Sequence, residues 1–192
     1  MSQRGVTVWF TGLSGAGKTT IASYVTGILQ DRGIAVETLD GDVVRSSLCK
    51  DLGFSKEDRI KNIERISFVA KLLTKNQIVT LASFISPYKN MREMARQEIG
   101  EFIEVFVDAP LSELVKRDVK GLYKKAIAGE IESFTGVNDP YERPNNADLV
   151  LRTDLETVEK CAMKVVALLE QRHYITFQDV HTEAKHSTSL SS

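Results

Sequence analysis

The stretch Gly12-Leu13-Ser14-Gly15-Ala16-Gly17-Lys18-Thr19-Thr20 lies between the apolar run Val6–Phe10 and the apolar-spaced residues Ile21 to Val25. Gly12-x-x-x-x-Gly17-Lys18-Thr19 is the pattern of a loop that wraps a polyphosphate, and it carries that meaning only where a strand leads in and a helix leads out. Both flanks fit. Glycines let the backbone turn its amide N–H groups onto an anion, and the amino end of the helix adds partial positive charge. Lys18 reaches the outer phosphates and Thr19 reaches Mg²⁺. Residues 12 to 20 are therefore the expected binding site of a nucleoside triphosphate. A guanine reader, Asn-Lys-x-Asp, is missing: the nearest match, Thr74-Lys75-Asn76-Gln77, lacks the acid and precedes the third strand. Guanine specificity is therefore not expected.

Such a loop needs a sheet behind it. Apolar runs of β-branched character recur at 6–10, 34–39, 77–85, 102–107 and 148–152, with helix-length stretches between them. This alternation predicts an α/β fold of three layers, a parallel five-stranded sheet with helices on both faces. The first helix should begin at Gly17 or Lys18, bury Ile21, Val25, Ile28 and Leu29, and end at Gly33. Ser55-Lys56-Glu57-Asp58 reads as a helix start, with Ile60, Ile63, Val69, Ala70 and Leu73 as the buried stripe and Arg59 and Asn62 on another face. Pro110 opens a short helix. Residues 116–146, rich in Lys, Gly, Asn and Pro, read as a mobile covering segment or lid. A final helix runs from Leu155 to Arg172, with Val158, Met163, Val165, Val166 and Leu169 as its apolar candidates.

At 192 residues the chain suits a single domain over 1–176, and the polar, Ser/Thr-rich stretch 177–192 reads as a disordered tail. Lys plus Arg (25) nearly equals Asp plus Glu (26), so no overall field attracts nucleic acid or an anionic membrane. Cys49 and Cys161 lack metal-ligand or C-x-x-C spacing, as expected of packed thiols in a reducing compartment. The amino terminus has no apolar signal core, and the run Ile78 to Ile85 is too short to span a bilayer. A complete cytoplasmic protein is expected.

A second constellation follows the second strand. Asp40-Gly41-Asp42 falls at the sheet edge that also carries the glycine loop, and its acids can hold Mg²⁺ through water or take a proton from an attacking hydroxyl. Asp-Gly is also a common turn pair. Arg45, Arg59 and Asn62 offer donors for a second anionic ligand, and Phe54 offers an aromatic face for a base. Ser83-Phe84-Ile85-Ser86-Pro87-Tyr88 ends the third strand, where Ser86 reads structurally as the cap of the next helix.

These motifs, together with Leu52-Gly-Phe54-Ser, Asp58-Arg59, Asn62-Ile63, Arg117-Asp with Lys120-Gly-Leu-Tyr123, and Phe134-Thr-Gly136 with Asp139-Pro-Tyr141, closely resemble the adenylylsulfate kinase (APS kinase) family over about residues 4 to 172. The resemblance implies strand order 2-3-1-4-5, a homodimer, and ATP-dependent phosphorylation of the 3′-hydroxyl of adenosine 5′-phosphosulfate (APS), giving 3′-phosphoadenosine 5′-phosphosulfate (PAPS) and ADP. It implies that Arg45, Arg59 and Asn62 hold the phosphosulfate and ribose, that Phe54 and Phe134 sandwich the adenine, and that backbone near Ile85 reads its edge. Asp42 would orient or deprotonate the 3′-hydroxyl, while Lys18 and Lys120 neutralise the moving phosphoryl group. Thr19, with Asp40 through water, would serve Mg²⁺. Arg117 would cover ATP, and Ser86 matches the position described in the family as a phosphoserine intermediate. Val43 stands where the family often has Asn. Neither cysteine matches the pair that makes plant relatives redox-sensitive, so no such switch is expected. No sulfurylase segment accompanies the kinase motifs, so ATP sulfurylase would act upstream as a separate chain. A nucleotide or nucleoside kinase, or a module that uses ATP only to change shape, are the rival readings.

Overall fold

The computed structural model describes residues 3–118 and 120–176, and the expected tail at 177–192 lies outside them. Strand β1 (Val6–Thr11) is buried along its whole length. It alternates between two cores, as the period-2 geometry of a strand paired on both sides requires. Val6, Val8 and Phe10 join the core under α1 (Lys18–Asp31) and α7 (Val158–Gln171). Trp9 joins the other core, under α3 (Lys56–Lys75) and α4 (Lys89–Ile99), where it stacks on Phe84 and Phe102 with ring centroids 5.4 and 5.7 Å away.

Around β1 lie β2 (Val36–Asp40), β3 (Val79–Ser83), β4 (Phe102–Asp108) and β5 (Leu149–Arg152), all parallel, in the order β2-β3-β1-β4-β5. Sheet type, strand order and the three layers are those expected. Ser83 pairs with Phe10 on one side and Asp40 on the other, so β1, β2 and β3 end at one level and their loops share a rim. No helix among the described residues is long and apolar enough to cross a membrane.

Several expectations change. Asp-Gly-Asp, which also matches a common turn pair, starts a short helix, α2 (Gly41–Ser46): the Asp40 carboxylate accepts from Asp42 N at 2.9 Å and caps it. Arg59 and Asn62 belong to the buried side of α3, because Arg59, Ile63, Ile66 and Ala70 follow helical spacing along one stripe. Farther along α3 the stripe packs on the sheet. In its first turns the helix overhangs the rim, where the side chains facing inward are polar. Ile60, Val69 and Leu73, expected in the stripe, are only partly buried. The segment 116–146 contains a helix of its own, α6 (Leu122–Ile127), after α5 (Leu111–Arg117), and Tyr123 and Ala126 anchor it in the core. The last helix begins at Val158, capped by Thr157, and leaves Met163 exposed.

Candidate active site

At the rim a cavity of about 630 Å³ opens between α1, α2, the start of α3, the end of β3 and the segment 118–135. The phosphate loop forms one wall. Gly12 has φ 147°, and a Cβ there would lie 2.3 Å from the Val107 carbonyl oxygen, so β4 passes too close for any side chain. Gly17 caps α1 at φ 103°. Lys18 is buried and folds back over its own loop, donating to the carbonyls of Gly12 and Leu13, both at 2.8 Å. Burial lowers its pKa to about 8, against the opposing pull of Asp40 and Asp42 and with a further push down from Lys120.

Thr19 Oγ1 donates to Asp40 Oδ2 at 2.7 Å, while the other Asp40 oxygen caps α2. A hydroxyl and a carboxylate side by side are hard oxygen donors. No cluster of three or more His, Cys, Asp or Glu suited to a metal exists among the described residues. This donor set fits Mg²⁺, which takes one or two protein oxygens and fills its octahedron with water and substrate phosphate.

Across the cavity, Lys120 Nζ donates to Asp42 Oδ2 at 2.5 Å. The two side chains are 60% and 78% exposed, so the pair contributes little to stability and exchanges partners readily. Arg45 donates to Gly53 O at 2.9 Å and places its guanidinium 4.4 Å from the centre of the Phe54 ring; burial, then Arg59, lower its pKa. Arg59 donates through Nε to Phe54 O at 2.9 Å, through Nη1 to Thr135 Oγ1 at 3.0 Å and through Nη2 to Ser133 O at 2.7 Å, with Asp139 Oδ2 at 3.4 Å. Most of its hydrogen-bonding capacity is spent on tying Phe54, before α3, to Ser133, Thr135 and Asp139 across the cavity. Asn62 is buried against the cavity with its Oδ1 lacking a partner, the state of a group waiting for a donor from a ligand.

Phe54 is exposed on one side of the mouth, and Phe134 is half-buried in the opposite segment, edge-on to Tyr123. The Ile85 carbonyl accepts from Thr11 Oγ1 at 2.8 Å. Ser86, at φ 40°, is not the helix cap; Tyr88 occupies that position before α4. Ser86 Oγ instead accepts from Trp9 Nε1 at 3.0 Å and donates to Thr11 Oγ1 at 3.1 Å, while Arg92 holds its carbonyl at 2.7 Å.

Of the residues picked from sequence, Ser14, Gly15, Lys18, Thr19, Thr20, Asp40, Asp42, Arg45, Phe54, Arg59, Asn62, Ile85, Ser86, Lys120 and Phe134 all line this cavity, as does Gly17. Gly12, Leu13, Ala16 and Arg117 do not. Arg117 donates to Thr153 O at 2.7 Å and to Thr153 Oγ1 at 3.3 Å, and Thr153 Oγ1 donates to Ala16 O at 2.8 Å, so Arg117 is linked to the phosphate loop through Thr153. Thr153, Thr135 and Ser133 carry these links and were not singled out from the sequence. Nothing local marks them, because each acts through a partner far away in the chain.

The family model described as adenylylsulphate kinase matches residues 4–152. The adenylyl-sulfate kinase of Halothermothrix orenii is 62% identical over 178 residues, which is 93% of this chain and 96% of the relative. Among solved structures, the Mycobacterium tuberculosis APS kinase in complex with AMPPNP and APS superposes with a TM-score of 0.85 at 47% identity, covering 88% of this chain and 99% of that one. The hexameric APS kinase of Thiobacillus denitrificans gives a TM-score of 0.70 at 32% identity, covering 91% of this chain but 30% of that one. With the family model matching residues 4–152 and the Halothermothrix orenii enzyme 62% identical over 96% of its own length, the chain belongs to the adenylylsulphate kinase family.

Proposed function

We propose that this chain transfers the γ-phosphate of ATP to the 3′-hydroxyl of APS in the presence of Mg²⁺, giving PAPS and ADP, with residues 1–176 as the catalytic unit. The observation that carries the reading is the shared cavity: Lys18 and Thr19 of the donor loop line the same space as Asp42, Arg45, Phe54, Asn62 and Phe134. Two nucleotides entering from opposite walls meet with phosphate facing sugar. The Mycobacterium tuberculosis relative, held with AMPPNP and APS together, supports the same arrangement here.

The donor loop amides and Lys18 hold the triphosphate. Lys18 leaves the Gly12 and Leu13 carbonyls to do so, an exchange of neutral for anionic acceptors that favours its charged form. Thr19, with Asp40 through water, would hold Mg²⁺, which when bound would neutralise phosphate charge. Phe54 and Phe134 flank the acceptor adenine, while the backbone at Ile85 reads its edge. Arg45 and Asn62 meet the phosphosulfate and ribose, with Arg59 keeping their wall in shape.

Asp42 takes up the 3′-hydroxyl once Lys120 turns from it towards the moving phosphoryl group, where Lys18 joins it. Arg117 orders the donor loop through Thr153, beside the expected seat of ATP. Ser86 keeps the turn after β3 in place: its Oγ is committed to Trp9 and Thr11, and an in-line transfer needs no enzyme nucleophile. The working form we propose is a cytoplasmic homodimer fed by a separate ATP sulfurylase, and a solution mass twice that of the chain tests the dimer.

The deciding experiment is a product assay with ATP, Mg²⁺ and APS. The expected result is one ADP per PAPS, with the new phosphate on the ribose 3′-oxygen. ADP release that depends on a nucleoside monophosphate and ignores APS would replace this reading with a nucleotide kinase.

A further inference from the structure

Two contacts join the donor loop to the segment that carries Phe134, and Tyr123 makes one of them. Tyr123 lies in α6 and is 2% exposed. Its place is set by Asp118, whose carboxylate accepts from the backbone N–H groups of Tyr123 at 2.9 Å and Lys124 at 3.0 Å. From there the Tyr123 hydroxyl donates to the Ser14 carbonyl at 2.9 Å. Its ring meets Phe134 edge-on, with centroids 5.0 Å apart and planes at 83°. Burial pushes the phenol pKa up to about 12, so the hydroxyl stays a donor at neutral pH. The second contact is Gly136, at φ 92°, where a Cβ would lie 2.8 Å from Leu13 Cδ2. The loop bearing Phe134 therefore rests directly on the phosphate loop.

These contacts touch the phosphate loop at Leu13 and Ser14, next to the Gly12 and Leu13 carbonyls that accept from Lys18. Lys18 donates to Gly12 O and Leu13 O in this structure, and a polyphosphate draws its ammonium away from both. A ligand shifts an equilibrium only through interactions that differ between states. Here the differing interactions sit at Gly12 and Leu13, beside the Ser14 carbonyl that Tyr123 holds.

We propose that Tyr123 is a positioning residue that couples the two substrate subsites, its hydroxyl following the phosphate loop at Ser14 and its ring edge passing that position to Phe134. The inference rests on reading Phe134 as a wall of the acceptor-adenine subsite. Tyr123 acts through Ser14 and Phe134, and the coupling is reciprocal, as any binding linkage must be.

The test is an equilibrium titration of the full chain with APS, with and without saturating AMPPNP and Mg²⁺, for the wild type, Tyr123→Phe and Phe134→Leu. Tyr123→Phe keeps the ring and removes only the hydroxyl. In the wild type, AMPPNP should tighten APS binding. In Tyr123→Phe that factor should shrink by about fivefold, the worth of one neutral hydrogen bond, while APS affinity without AMPPNP stays within about twofold. The factor by which APS tightens AMPPNP should shrink equally. A merely structural tyrosine would lower the melting temperature and leave both factors alone. Equal factors in wild type and Tyr123→Phe, or a wild-type factor of one, overturn the proposal. Weakened APS binding in Phe134→Leu with unaltered factors in Tyr123→Phe overturns the coupling alone. Unchanged APS binding in Phe134→Leu removes the reading of Phe134, and the coupling with it.

Discussion

Strand β1 delivers the phosphate loop from a position paired on both sides and buried throughout, whereas Asp42 and Arg45 hang from β2, an edge strand with no fully buried residue, through a six-residue helix. In the proposed reading the donor wall is backbone: contiguous residues whose amides and glycine conformations would do the binding. The acceptor wall is side chains drawn from α2, α3, the end of β3 and the segment 118–135. The two walls are therefore vulnerable in different ways. A substitution in the donor loop strikes a rigid object that cannot repack, because β4 already touches Gly12. A change in the acceptor wall strikes a separate side chain, which is buried at Arg59 and Asn62 but exposed and held by an exchangeable contact at Lys120 and Asp42.

The largest effect should come from the donor wall. Lys18→Met removes the cation nearest the transferred group, and kcat should fall about 10³-fold, measured under saturating ATP and APS. A smaller loss would move charge neutralisation onto Lys120. Next comes Asp42→Asn on the acceptor wall. It should cost about 10² in kcat if the carboxylate accepts the 3′-hydroxyl proton, with the KM for ATP held within about twofold. Unchanged turnover would take Asp42 out of the reaction.

Raising the pH should act on the donor wall through Lys18. Burial holds the empty-state Lys18 pKa at about 8, and bound phosphate raises it, so binding takes up a proton above that pH. AMPPNP affinity should therefore be flat below about pH 8 and weaken by up to about tenfold per pH unit above it. In Lys18→Arg this slope should disappear, because a guanidinium stays charged. A slope that survives in Lys18→Arg belongs to another group.

The smallest effect is expected at Ser86→Ala. Its Oγ serves Trp9 and Thr11, so turnover should stay within about twofold, while the protein loses about 1 kcal/mol from the missing hydrogen bonds, read as a lower denaturant midpoint. Loss of activity with unchanged stability would restore a chemical role to Ser86.

The same contrast explains what could be read from the chain alone. The phosphate loop was legible because its chemistry is contiguous and its flanks are the strand and helix it requires. Asp40 and Asp42 were legible because they follow β2, and parallel strands end at one rim. Arg59 and Asn62 were assigned the wrong face: the hydrophobic pattern of α3 hides that its stripe continues past the sheet into the cavity, where polar residues take the inward positions. Ser86 looked like a helix cap because Pro87 follows it, yet Trp9 and Thr11, far earlier in the chain, claim its hydroxyl. Helix α6 escaped because six residues carry too little periodicity to register. Tyr123 and Thr153 touch the phosphate loop only across more than a hundred residues, so their contacts exist only once the sheet has formed.

In the proposed mechanism both nucleotides occupy one cavity and the phosphoryl group passes directly between them. The most direct measurement is the stereochemical course at phosphorus, followed with ATP made chiral at the γ-phosphate by oxygen isotopes and with APS as acceptor. A single in-line transfer predicts inversion of configuration in the 3′-phosphate of PAPS. Retention would mean two displacements through a phosphorylated enzyme, and would contradict the account.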